Sequence, residues 1–486
     1  MTALSFILRG LRHHRTGYLG VLLGSALGTM VLLGALFAGD SVKSTLQQIA
    51  QQRIGQTTHA LVGGENLFLA ELAETMGEST TAVLQLQGQV SDPKGRTAGQ
   101  VDVFGIKDTF WEFSMARDKG PDPKAGAREW PINRALADEL DLEVGSTLIV
   151  RLRQPSLVSG DVPLAENSDE ITTLRGKVSR VLGDSEMGRF SLARSQLTSP
   201  KVFLPLPALA EAMEQHPGRA NLLLSKAPSD LDAFAGAVHK AMTLADYGLS
   251  VVEAPDNGQL EIRSERIFLS PALETKIRAT FPKLQPTLTY LVNNLASNDR
   301  ETPYSMVTGA DPAMVSFVPD DLKDDEIALS SWEAEDLAAE IGDTVRISYY
   351  VLGSNNALTE EETEFTVRSI YPLEGPAADK KWTPDFPGIS EAENNADWSS
   401  SLPLDMTRIR DKDETYWDNH RGTPKAFITH QAAARIWQNR WGSSTGLRSS
   451  TADTPKDQIE ERLLQVLAPA DAGLHLRDIA SESAAA

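Results

Sequence analysis

The chain has 486 residues, a formal net charge of −21 and no cysteine. The acidic excess excludes the clustered Lys and Arg that a nucleic-acid backbone requires. The missing cysteine excludes disulfides, thiolate zinc sites and thiol nucleophiles. A mean hydropathy of −0.25 excludes a chain built mainly of membrane spans, and the length suits two to four domains.

Residues 1–16 read as a cytoplasmic or interfacial segment. Leu4, Phe6, Ile7, Leu8 and Leu11 interleave with Arg9 and Arg12, as in a short helix lying near lipid headgroups. Residues 17–39 carry no charge over 23 positions. As a helix they cover about 35 Å, enough for a hydrocarbon core of about 30 Å. Arg9, Arg12 and Arg15 precede this stretch and Asp40 follows it, which places the N-terminus in the cytoplasm and the bulk outside. The apolar run is longer than a cleaved signal's core, and cleavage after Ala38 would put Leu36 where a small residue is preferred; an uncleaved anchor is expected. Gly20, Gly24 and Gly28 recur every four residues, the spacing of a seam for a partner helix. Glycine is also common in membrane helices without such a role. Residues 40–56 place Val42, Leu46, Ile49 and Ile54 at near-helical spacing, so the helix should continue outward to about Gln52.

The remainder is organised by an internal repeat. His59–Leu69 resembles Gln259–Leu269 at an offset of 200, and each is followed by a helical stretch, LAETM or LETKI. Residues 83–108 resemble 288–312, with Gly105 on Gly309. Ala137–Thr147 matches Ala334–Thr344 at an offset of 197, and in each a short helix, a turn at Gly145 or Gly342 and an alternating strand follow one another. Pro200-Lys-Val-Phe203 then matches Pro424-Lys-Ala-Phe427 at 224, and Ala245–Leu249 matches Ala470–Leu474 at 225. The jump between offsets predicts an insertion within 375–415 of the second copy. Its Pro, Gly, Ser and Asn content reads as a long loop. Trp382, Phe386 and Trp398 in that loop either contact a partner or pin the loop to its own module. The predicted fold is α+β: a transmembrane helix, then two tandem modules over 57–256 and 257–482. Strict βαβ periodicity is absent, which argues against a doubly wound parallel sheet.

No phosphate-binding loop, dinucleotide fingerprint, HExxH or GxSxG occurs. The acidic runs Asp320, Asp321, Asp324, Asp325, Glu326 and Asp411, Asp413, Glu414, Asp418 lack the central glycine of a calcium loop and read as solvated surface. No catalytic, cofactor-binding or metal-binding residue is therefore expected.

Arg12 through the span to Gly39-Asp-Ser-Val42, then Leu46, Arg53-Ile-Gly55 and His59-Ala-Leu-Val62, resembles the start of FtsX-like, MacB-type ABC transporter permeases. Gly188-Arg-Phe-Ser-Leu192, Arg219-Ala-Asn-Leu222 and Pro424-Lys-Ala-Phe427 extend the resemblance along the chain. It implies a bacterial cytoplasmic (inner) membrane protein whose first helix feeds a large extracytoplasmic region. It also implies a cytoplasmic ABC ATPase subunit as partner, further transmembrane helices or a second permease copy, and export or extraction of an envelope substrate. The chain stops at Ala486 with one apolar span, so it is expected to be the N-terminal part of such a permease. The alternative is a single-span, membrane-anchored binding or scaffold protein.

Overall fold

The computed structural model describes residues 7, 10, 12–116, 126–153, 171–193, 195, 197–211, 218–254, 258–352, 358–390, 392–395, 398–399, 402–453 and 455–484. Leu4, Phe6, Leu8, Arg9 and Leu11 of the expected interfacial helix lie outside them.

Arg15–Ile54 is one continuous helix of 40 residues, about 60 Å long. Its apolar part is exposed throughout and is long and apolar enough to cross a membrane. The apolar stretch and the outward extension belong to the same helix, and no Pro falls in it. The extension runs two residues past the expected end.

The first copy contributes β1 (His59–Val62), β2 (Phe68–Leu69), β3 (Thr80–Ser91), β4 (Thr97–Ile106), β5 (Glu129–Asn133), β6 (Thr147–Arg153), β7 (Ile171–Leu182), β8 (Lys201–Pro205), β9 (Arg219–Ala220), β10 (Leu222–Ser225) and β11 (Leu249–Ala254). The second contributes β12 (Gln259–Ser264), β13 (Gln285–Ser297), β14 (Arg300–Ala310), β15 (Glu326–Ser330), β16 (Thr344–Leu352), β17 (Leu358–Tyr371), β18 (Ala426–Thr429), β19 (Gly446–Ser450) and β20 (His475–Asp478). The two large sheets have one topology. One runs β20-β1-β10-β3-β4-β8-β5-β7-β6 and the other β11-β12-β19-β13-β14-β18-β15-β17-β16. Each is mostly antiparallel, with the parallel pairs β4–β8 and β5–β7 matched by β14–β18 and β15–β17.

The long strands β3 and β13 organise each copy. The first half of β3 pairs with β10 and its second half with β6, so six strands close into a ring while three extend from it. β13 does the same with β19 and β16. Closure removes a free edge from each ring. Matched helices then cap the rings at the same place. Asn133 caps Arg134–Leu140 by accepting from Leu136 N, and Ser330 caps Ser331–Leu337 by accepting from Glu333 N. The turns that follow use positive φ at Gly145 (90°) and Gly342 (98°), as the matched sequence blocks predict.

The last strand of each copy crosses to the other's sheet. β11 pairs with β12, and β20 pairs with β1. Sequence repeat and spatial sheet are thus offset by one strand, and the two copies clasp each other. One shared core follows. Leu61, Phe68, Phe234 and Val238 of the first copy pack with Leu260, Ile262, Ile277, Leu447 and Leu463 of the second. The second ring keeps a core of its own around Leu291, Ile347, Phe365 and Trp437.

The strand registers refine the repeat. Ala60 pairs with Leu224, and Glu261 pairs with Arg448. Since β10 and β19 correspond at the offset of 224, Ala60 corresponds to Glu261 rather than to Leu260. The first block is therefore offset by 201, not 200. A one-residue shift exchanges the two faces of a strand, and only the 201 register puts Leu61 and Ile262 together in the shared core.

Candidate functional site: the membrane joint and its counterpart

The outer face of the first sheet receives the end of the membrane helix. Ile54 is buried there among Ala60, Val83, Phe104, Phe110 and Phe203. Phe104 stacks on Phe203 at 5.3 Å, and Phe110 stands edge-on to Phe190 at 5.3 Å. The helix stops at Gly55, whose φ of 59° few residues tolerate and whose missing side chain leaves room for the Phe113 carbonyl and Met187. Gln56 N then donates to Phe113 O (2.9 Å) and Gln56 Nε2 to Ser114 O (2.8 Å). Arg53 donates to Ala193 O (2.6 Å), while its own carbonyl accepts from Ser191 N (3.0 Å). The short helix Ile479–Ala484 closes the joint from the other end of the chain. Ile479 is buried in the same cluster and Ala480 N donates to Thr58 O (3.1 Å). The end of the apolar helix is thus packed into the first module through Arg53 and Ile54.

The same face of the second sheet is covered by the insertion. Where the first copy has the apolar pair Ala60–Leu224, the second has Glu261–Arg448, both buried. Arg448 donates to Glu261 Oε2 at 2.8 Å, Arg263 donates to the same oxygen at 3.1 Å, and Thr287 donates to Oε1 at 2.9 Å. Gly446, corresponding to Leu222, leaves space for this carboxylate. Burial works to raise the Glu261 pKa, but Arg448 and Arg263 overcome it and hold the carboxyl below its ordinary range. The two guanidinium groups also donate to the Lys381 carbonyl, and Arg448 lies 3.8 Å from the Trp382 ring centroid. Trp382 packs with Ala310, Tyr371 and Phe427, the last corresponding to Phe203 of the joint.

The rings singled out in the insertion therefore face inward. Trp382 lies in this cluster, while Phe386 and Trp398 lie in the second ring's core. All three are buried within the module, where they pin the insertion by removing apolar surface from water. The insertion also carries regular structure, including the helix Asp411–His420. Gly20, Gly24 and Gly28 sit on the exposed span with no described residue within 4 Å of where a side chain would begin.

A second matched position carries a buried lysine. Lys201 donates to Asp102 Oδ2 and to Ser199 O, both at 3.2 Å, and also to Ser199 Oγ. Burial lowers its pKa against the attraction of Asp102. The corresponding Lys425 meets Met306 where Asp102 would stand. Its charges come from elsewhere: Asp413 Oδ1 at 4.0 Å, and Glu333 at the position of Leu136. Its ammonium also lies 4.4 Å from the Trp332 ring centroid and 4.9 Å from that of Tyr416. Asp413, read from sequence as solvated surface, is buried because its helix turns it toward Arg410 (2.7 Å) and Lys425.

Sequence reading missed these buried charges. QLEIRS alternates apolar and charged residues, the pattern of a strand with one wet face, and only the distant insertion makes that face dry. The repeated Pro-Lys-x-Phe block was the one available signal for the lysines.

No protein-family model matches the chain, and no curated protein matches it. Among solved structures, the chain is similar to the periplasmic region of MacB from Actinobacillus actinomycetemcomitans at 9% identity and a TM-score of 0.26, over 39% of this chain and 84% of that one. It is also similar to the extracellular domain of the ABC-type transporter YknZ from Gram-positive bacteria at 9% identity and a TM-score of 0.25, over 38% of this chain and 91% of that one.

Proposed function

We propose that the chain is the N-terminal permease part of an FtsX-like, MacB-type ABC transporter. In this reading residues 17–39 lie in the bilayer, residues 1–16 face the cytoplasm and the two modules stand outside. A cytoplasmic ABC ATPase acts on the membrane helices, and the first helix carries the movement to the modules for export or extraction of an envelope substrate. The observation that supports this most is the joint. An anchor needs only a tether, whereas burying Ile54 and packing the helix Ile479–Ala484 beside it lets tilt or rotation of the helix move the first module as a body. Gly20, Gly24 and Gly28 would be the seam for a neighbouring helix.

The test is to recover the tagged native protein from its own membranes in mild detergent and assay the complex for ATP turnover. The expected result is a co-purifying ABC ATPase whose recovery falls when the three glycines are replaced by Leu. A chain recovered alone and without turnover would contradict the proposal and favour a single-span scaffold.

A further inference from the structure

Glu333 is fully buried, and neither carboxyl oxygen has a hydrogen-bond partner among the described residues. Thr302 is close, but its hydroxyl donates to Asp336 Oδ2 (2.6 Å). Lys425, just before β18, and Asp413 and Arg410, at the start of the insertion helix, act on Glu333, and the Tyr371 and Tyr416 phenols also face it. Arg410 is shared between Asp413 and Asp336, 2.7 Å from each, and Lys412 is tied to Asp336. A cleft lined by Tyr304, Asn395, Trp398, Asp413, Tyr416 and Lys425 brings solvent to the edge of this cluster.

We propose that Glu333, Lys425 and Asp413 form a proton-operated latch holding the insertion helix Asp411–His420 on the second ring. With Glu333 protonated, the buried carboxyl is neutral, and the helix stays closed over it through Asp413 beside Lys425 (4.0 Å) and the Trp332–Tyr416 ring contact (4.8 Å). With Glu333 ionised, a buried carboxylate stands without a hydrogen-bond partner among the described residues, and lifting the helix relieves it by admitting water through the cleft. Among the described residues the first module shows no such device: Leu136 stands at the corresponding position and Lys201 keeps its own Asp102.

Burial pushes the Glu333 pKa from 4.5 up to about 7, against the pull of Lys425. The closed form therefore binds the proton more tightly than the open form, and its advantage is lost as pH rises from the ordinary carboxyl value through about 7.

The test is hydrogen exchange of residues 411–420 in the full chain in detergent, with opening constants corrected for intrinsic exchange. Between pH 5 and pH 8 the opening constant should rise on the order of a hundredfold, while amides of β13 stay unchanged. Glu333→Gln, or Glu333→Leu if the first variant folds poorly, should abolish the rise. Lys425→Met should move the midpoint to higher pH by removing the cation that favours the ionised form. A pH-independent opening in the unmodified chain, or a rise that persists in both Glu333 variants, would overturn the proposal.

Discussion

The outer faces of the two sheets are the same surface put to two uses. In the first module Ala60, Leu224, Phe104 and Phe203 make an apolar hollow that takes Ile54 from the membrane helix. In the second, Glu261 and Arg448 replace Ala60 and Leu224, Thr308 replaces Phe104, and the occupant is Trp382 of the insertion. Thr289 adds to the second arrangement by donating to the Trp382 carbonyl at 2.9 Å. An apolar hollow accepts any well-shaped apolar end, whereas a buried ion pair accepts only an occupant that satisfies it. The insertion does so through the Lys381 carbonyl and the Trp382 ring. One module is thereby coupled to the membrane helix and the other is sealed by its own chain.

The comparison breaks most severely at the ion pair. Arg448→Leu leaves Glu261 buried without its main partner and should cost about 3–5 kcal/mol, measured by denaturant unfolding. Adding Glu261→Ala recreates the first module's pair and should recover part of that loss, the remainder reflecting Arg263, which loses its carboxylate partner in the same step. A double variant no better than the single would mean that the two faces are not equivalent.

Trp382→Ala should cost about 3–5 kcal/mol, felt mainly as loosening of the insertion. Limited proteolysis should then cut within 375–415 while the first module stays intact. Ile54→Ala should act in the opposite module, at the lower end of about 2–5 kcal/mol because the side chain retains 7% exposure. Faster hydrogen exchange at 53–58 with no change at 375–390 would show it. The smallest effect is acid. The Glu261 carboxyl is held below its ordinary range, so its contribution is present above that range and lost as pH falls through the lowered value. Proteolysis of the insertion should therefore rise in acid before the joint is affected, and Glu261→Gln should remove that difference.

Much of this architecture is readable from sequence. The uncharged run 17–39 fixes the helix, and Pro-Lys-x-Phe with the Gly145 and Gly342 turns fixes the repeat. The exchange of β11 and β20 is not readable, because a short alternating strand states its faces but not its neighbour. Burial of Glu261, Arg448 and Glu333 is hidden for a related reason. What covers them arrives from 67 to 120 residues away in the chain, and a charged residue reads as solvated until its cover is known.

The central claim is that the membrane helix and the first module move as one body. The chain has no cysteine, so spin labels at Ser44→Cys on the helix and Glu78→Cys on the module, both exposed, can be placed without background. Measured by pulsed electron–electron resonance in lipid nanodiscs, the distance distribution should be single and narrow, and should broaden in Ile54→Ala. A broad distribution in the unmodified protein would contradict the account, because it would make the joint a hinge.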